Sequence, residues 1–236
     1  MEKTLEMNRS ASPGTLYIIA TPLGNPRDIS LRALDILSTV DTIACESAGR
    51  AGKLLREHKI PTRQLLICQA GNEAASAEGL VQLLRKGRSI AYISDAGTPG
   101  ISDPGLKLVA TARRHNFAIE ALPGPSALTL ITSLAPWPCA PFSFIGFLSP
   151  KSGRRRRELA RWLQQGHSFI FYESPFRVLS TLKDLGELAP ERAIFLGREM
   201  TKKNAQFLQG TSDYLLGQLE IPIRGELTLL VAPKSG

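Results

Sequence analysis

Ser89-Ile-Ala-Tyr-Ile-Ser-Asp-Ala-Gly-Thr-Pro-Gly-Ile-Ser-Asp-Pro-Gly105 is the stretch on which the reading of the fold turns. Ser89 to Ile93 is a short apolar run stopped by turn-forming residues, the pattern of a buried strand. The twelve residues from Ser94 to Gly105 then hold three glycines, two prolines and two aspartates. Gly97, Gly100 and Gly105 permit backbone geometry closed to other residues and let a ligand approach the main chain. Pro99 and Pro104 stiffen the loop, so little entropy is lost when a small polar cofactor binds its N–H and C=O groups. A pair of structural turns is the plainer alternative. The length and composition at a strand end favour the ligand. The loop is neither a dinucleotide fingerprint nor a phosphate loop, and no Gly-Lys-Thr follows it, so a nucleoside triphosphate is not indicated.

Working outward, strand and helix signals alternate. Leu16 to Ala20, Thr42 to Cys45, Leu65 to Cys68 and Phe117 to Leu122 read as further strands. Ile29 to Ser38 reads as a helix capped by Asp28, Glu73 to Arg85 as a helix stopped at Gly87, and Leu106 to Arg114 as a third. Such alternation implies a mostly parallel sheet covered on both faces, with ligands at the carboxyl ends of its strands. A second unusual loop, Ala20 to Asn25, follows the first strand. A third turn, Pro123-Gly-Pro-Ser-Ala127, opens a helix running through Leu134 and offers the Ser126 hydroxyl.

The proline-rich stretch Ala135 to Pro141 is a seam, and beyond it the pattern changes. Phe142 to Phe147, Ser168 to Glu173, Arg192 to Gly197, Asn204 to Gln209 and Glu226 to Val231 read as strands. Arg155 to Gln164, Pro175 to Leu188 and Ser212 to Leu219 read as helices. Closely spaced final strands favour a mixed sheet. The expected organisation is a frayed tail over 1–13, an N-terminal α/β domain over 14–122 and a C-terminal α/β domain over 123–236.

The chain has 236 residues, 43% of them hydrophobic, enough for one large core or two small ones. Its net charge of +8 raises the prospect of a polyanionic partner only modestly. Three scattered cysteines, Cys45, Cys68 and Cys139, suit neither a disulfide framework nor a zinc site, and buried reduced thiols in a cytoplasmic protein are expected. The uncharged stretch Ala121 to Pro150 is interrupted by prolines, so no membrane span is expected. No metal is expected. His58, His115 and His167 fall outside the suspect loops and read as solvated.

The phrases Gly14 to Asn25, Ile29 to Leu34, Ser94 to Gly105, Pro123 to Ala127, Gly146 to Leu148, Phe171 to Pro175, Arg198 to Lys203 and Gly225-Glu226 carry a resemblance. In order, and over nearly the whole chain, they resemble the small-subunit ribosomal RNA cytidine 2′-O-methyltransferases of the tetrapyrrole-methylase superfamily. The resemblance implies a two-domain tetrapyrrole-methylase-like α/β fold, with S-adenosylmethionine bound in the cleft between the domains, and a homodimer. It implies donor contacts from Leu23, from Gly97, Thr98, Pro99 and Ile101, from Ser126 and Ala127, and from Tyr172, Met200 and Gly225. It makes ribosomal RNA, or the small ribosomal subunit, the partner. The transfer is a displacement at a sulfonium methyl that needs no metal, and positioning the acceptor oxygen in line supplies much of the rate.

The chain departs from that family's pattern on the acceptor side. Glu46-Ser-Ala-Gly49 stands for Glu-Asp-Thr-Arg, Cys68-Gln-Ala-Gly71 for a histidine-containing stretch, Ser174-Pro-Phe-Arg177 for Ser-Pro-His-Arg, and Asn204-Ala-Gln206 for a segment with an acidic residue. Glu46, Glu173, Arg198, Glu199 and Lys202 remain as acceptor-side candidates. An ion pair between Glu173 and Arg198 is the structural alternative for those two. Lys151 and the run Arg154, Arg155, Arg156 and Arg157 are the candidates for RNA phosphates, against the plainer reading of a solvated helix start. Two further functions stay open: methylation of a tetrapyrrole-type small molecule, and donor or RNA binding with weakened or lost turnover.

Overall fold

The structure is a computed structural model that describes residues 13–61 and 64–234. Apart from Pro13, the expected tail over 1–13 lies outside them. The chain forms two compact units. One runs to Thr21 and continues over Asp28–Gly124; the other holds Pro22–Arg27 and Pro125 onward. The short segment Pro22–Arg27 therefore packs with the second unit although it follows the first strand of the first.

The first unit alternates β1 (Thr15–Ile19), α1 (Leu31–Thr39), β2 (Thr42–Cys45), α2 (Ala48–Glu57), β3 (Gln64–Ile67), α3 (Glu73–Arg85), β4 (Ile90–Ile93), α4 (Leu106–Arg114) and β5 (Ala118–Leu122). Its sheet runs β3-β2-β4-β1-β5, and every pairing is parallel. β2 and β4 are buried at every position, as strands covered on both faces must be. Their alternate side chains feed two cores. Ile43, Ala91 and Ile93 meet Ala33, Leu37, Ala51 and Leu55 of α1 and α2. Ala44, Ile90 and Tyr92 meet Ala77, Leu80, Leu84, Leu108 and Ala112 of α3 and α4. Ser30, not Asp28, caps α1: its side chain accepts from the Ala33 amide at 3.2 Å. Helix α2 was not expected from sequence. Four of its ten residues, Ala48, Gly49, Ala51 and Gly52, are alanine or glycine, and only Leu54 and Leu55 are large apolar side chains, too few to mark a stripe; Ser47 starts it by accepting from the Arg50 amide.

The second unit holds α5 (Ala127–Leu134), β6 (Phe142–Phe147), α6 (Ser152–Gln164), β7 (Ser168–Glu173), α7 (Val178–Leu188), β8 (Ile194–Arg198), β9 (Gln206–Gly210), α8 (Ser212–Gln218) and β10 (Leu227–Val231). The sheet order is β6-β7-β10-β8-β9, with β6–β7 parallel and the other pairings antiparallel. This is the mixed sheet that the sequence indicated. Phe169, Phe171, Leu196, Leu229 and Val231 face α6, α7 and α8. Ile170, Phe195 and Leu230 point the other way, onto Ile131 of α5 and Met200.

Candidate active site

In the first unit, the parallel strands bring the loops after β1, β2 and β4 to one edge of the sheet. The loop after β4 is tied back to β1. Thr21 and Gly97 exchange backbone hydrogen bonds, each 2.9 Å, as an isolated antiparallel bridge. The buried Thr21 hydroxyl donates to the Ser94 carbonyl, and the Ser94 hydroxyl donates to the Gly97 carbonyl, both at 3.0 Å. Gly97 and Gly100 hold φ of 86° and 81°, left-handed geometry that favours glycine. Thr98 to Ile101 then form a tight turn, with the Ile101 amide donating to the Thr98 carbonyl at 3.3 Å.

The far end of this loop rests on a residue that sequence reasoning had not given a role. Glu73, only 6% exposed, accepts from the Gly105 amide at 2.8 Å and from the Lys107 amide at 2.7 Å. Its carboxylate thus caps the start of α4, where amides lack helical partners and the helix dipole favours negative charge. Gly105, at φ 127°, lies so close to Tyr92 that a Cβ there would come within 2.9 Å of the ring. Nothing in the local pattern marks Glu73 as a cap for a helix more than thirty residues on, because the pairing is tertiary.

Glu46, at the end of β2, belongs to the same edge. Its carboxylate accepts from the Asp95 amide at 3.0 Å, and Asp95 faces Arg50 at 3.5 Å. Burial pushes the Glu46 carboxyl above its ordinary range; the Asp95 charge adds to this, while the Asp95 amide and Arg50 oppose it. Burial likewise lifts the Cys45 and Cys68 thiols to about 11, as inert core thiols.

The second unit assembles its candidates in one place around the turn after β8. Glu199 and Thr201 hold positive φ, 50° and 66°. The Glu199 carboxylate accepts from Lys202 Nζ at 2.7 Å and from the Glu226 amide at 2.9 Å, and Lys202 also meets Glu226 at 3.0 Å. Burial alone would raise the Glu199 carboxyl; the Lys202 and Glu226 contacts overcome it and the net shift is downward. For Lys202, burial is outweighed by the two carboxylates, and its pKa is raised. Lys202 is therefore an ammonium at neutral pH and cannot serve as a proton acceptor.

Gly225, at φ 91°, is pressed so close to Glu199 that a Cβ would lie 2.3 Å from Cγ. The segment carrying Leu23 lies over this turn: a Cβ on Gly24 would strike Lys202, and the Asn25 amide donates to the Thr201 hydroxyl at 3.2 Å. Met200, 6% exposed, shares an apolar cluster with Ala127 and Phe144. Tyr172 stands edge-on to Phe144 with centroids 4.9 Å apart. Ser126 opens α5 without a side-chain capping bond. Arg198 donates to the Arg224 carbonyl at 3.3 Å, next to Gly225.

Glu173 lies elsewhere, and it does not pair with Arg198. Its fully buried side chain accepts from the Ser174 amide, Arg177 and the Thr181 hydroxyl, each at 2.7 Å. These bonds fix the start of α7 and hold the carboxylate in a buried network of three donors.

The arginine run also divides. Arg155 is 4% exposed and grips Asp184 with contacts of 2.7 Å. Arg156 bridges Asp184 and Glu187. Arg154 pairs with Glu158 at 3.0 Å. Lys151 and Arg157 remain exposed. Three of the four arginines thus face acidic partners and the fourth faces solvent, because a helix turns successive side chains to different faces. His167 is not merely solvated: its Nε2 is 2.7 Å from the Ser143 hydroxyl. Among the described residues, no cluster of metal-ligating side chains occurs and no helix is long and apolar enough to cross a membrane.

A parallel-sheet unit edged by a glycine- and proline-stiffened loop, followed in the chain by a mixed-sheet unit, is the architecture of a class of methylases. The profile described as "Tetrapyrrole (Corrin/Porphyrin) Methylases" matches residues 15–215. The fold is similar to uroporphyrin-III C-methyltransferase from Thermus thermophilus complexed with S-adenosyl homocysteine (TM-score 0.66, 16% identity, covering 92% of this chain and 97% of that one). In sequence the chain is 41% identical over 216 residues to ribosomal RNA small subunit methyltransferase I of Mycoplasmopsis pulmonis, covering 91% of this chain and 96% of the relative. It is 43% identical over 189 residues to the protein of that name in Leptospira biflexa, covering 80% and 78%. The chain belongs to the tetrapyrrole methylase family, on the branch of the ribosomal RNA small subunit methyltransferases I.

Proposed function

We propose that this protein transfers a methyl group from S-adenosylmethionine to small-subunit ribosomal RNA, at the ribose 2′-oxygen of a cytidine. The observation that carries the reading is the identity, above 40%, to ribosomal RNA methyltransferases over nearly the full chain. The resemblance of the individual motifs adds the ribose and the cytidine. A cytoplasmic homodimer belongs to the proposal and is open to sedimentation measurements.

The first unit fits a small polar donor. Beside Gly100 a Cβ would meet nothing within 4 Å, so the turn presents open backbone. Gly97, Thr98, Pro99 and Ile101 are its donor positions. In the second unit, Leu23, Ser126, Ala127, Tyr172, Met200 and Gly225 are the further positions to be tested one by one. The donor supplies an electrophilic methyl on sulfur. The chain's own residues must place the acceptor hydroxyl in line and take up its proton. Of the acceptor-side candidates, Glu46 has a carboxyl that burial makes more basic, the direction that favours proton uptake. Glu199 and Lys202 form a fixed ion pair suited to orienting polar groups. Arg198 holds the strand end beside Gly225.

Mass analysis of small-subunit RNA nucleosides, from cells with and without the gene, tests the reading. The expected result is one 2′-O-methylated cytidine missing from the deletion and restored by the purified protein and donor. Unchanged RNA with a defect in a tetrapyrrole pathway supports the small-molecule reading instead. Donor binding without transfer to either acceptor supports a binding protein.

A further inference from the structure

We infer that Phe176 is a stacking platform for an unpaired base of the RNA acceptor, with Lys151 and Arg157 holding the adjoining phosphates. The inference rests on the RNA reading above and adds the residues that touch the acceptor.

Phe176 is 94% exposed, so its ring contributes almost nothing to the core. Exposed aromatics are ordinarily mobile, but this one is mounted on a braced loop. The Phe176 amide donates to the Ser174 hydroxyl at 3.3 Å, the Ser174 amide to Glu173 at 2.7 Å, and Arg177 bonds Glu173 on one side and the Leu148 carbonyl on the other. Through Arg177, the loop after β7 is tied to the loop after β6. These strands are parallel neighbours, so their carboxyl ends share one edge of the sheet.

The loop after β6 carries the charge. Glu158 accepts from the Ser149 amide at 2.9 Å and pins that loop to α6. Arg154, Arg155 and Arg156 are matched by Glu158, Asp184 and Glu187. Among the described residues of this loop and the arginine run, the exposed cations without an acidic partner are Lys151 and, within the second turn of α6, Arg157. A flat apolar ring on one loop, with exposed positive charge following the loop tied to it, fits a single-stranded nucleic acid, whose bases stack and whose phosphates are anionic. A purely apolar protein partner would leave those cations desolvated and unpaired.

The test measures binding of a fluorescein-labelled single-stranded oligoribonucleotide, followed by anisotropy across a salt series. Phe176→Ala is expected to weaken binding about ten-fold, with donor affinity and melting temperature unchanged. Phe176→Trp should keep the affinity, and its added emission should be quenched when RNA binds. Lys151→Ala with Arg157→Ala should flatten the salt dependence, which Phe176→Ala should not. Wild-type affinity in Phe176→Ala overturns the platform. So does a change of oligomeric state in that variant with RNA affinity per protomer retained, which would make the ring a subunit contact. A wild-type protein that binds no RNA overturns the RNA reading itself, and the two failures are thereby distinguished.

Discussion

The loop Ser94–Gly105 and the run Arg154–Arg157 both stand out in the sequence, and the structure treats them in opposite ways. The loop works through its backbone: its glycines hold left-handed geometry, Thr21 ties one end and Glu73 the other. Its distinctive residues serve its own shape and leave a turn open beside Gly100. The arginines work through side chains, and three of the four are taken up by acidic neighbours. A glycine's meaning is local, because φ belongs to the residue itself. A charge acquires meaning only from what lies opposite it.

The sharpest way to break this comparison is to deform the loop. Gly97→Val places a β-branched residue at φ 86° and is expected to abolish donor binding in titration calorimetry. Unchanged affinity would refute the loop as the donor bed. Next in size is the contrast within the run. Arg155→Ala leaves Asp184 with Arg156 alone and should cost about 1–3 kcal/mol of unfolding free energy in denaturant titrations. Arg157→Ala should leave stability unchanged while lowering the salt slope of RNA binding by about one. Equal effects from both would mean the run acts as one patch after all.

The smallest effect concerns the second unit's ion cluster. Lys202 has its pKa raised above the ordinary 10.5, so its stabilising contribution is complete below that pH and is lost as pH rises through the folded value. Glu199 has its pKa lowered below 4.5, so its contribution is complete above that pH and is lost as pH falls through the folded value. Melting temperatures of wild type and Lys202→Met should differ most between these limits and converge beyond the alkaline one. A constant offset across the whole range would point to lost packing over Gly24 instead.

Much of both units was legible from their residues. The limits of α3 and α4 coincide with the apolar periodicity of Glu73–Arg85 and Leu106–Arg114, and β6 and β7 with Phe142–Phe147 and Ser168–Glu173. α2 escaped because its buried face is Ala51, Gly52 and Leu55, and two of those three are too small to stand out as an apolar stripe. The sequence by itself determined the two sheet types, the glycine- and proline-rich loop at a strand end and the family resemblance, because periodicity, turn chemistry and motif order are properties of neighbours along the chain. Only the tertiary structure decided which charges are spent. It gave Glu73 to the start of α4, Glu173 to Arg177 and Thr181, and Arg155 to Asp184, while leaving Phe176 bare. The physical reason is that an ion pair or a buried carboxylate depends on distance in space: Glu73 and Arg155 reach partners about thirty residues away only because the folded units bring their helices together, and Glu173 is buried only once its strand sits in the sheet.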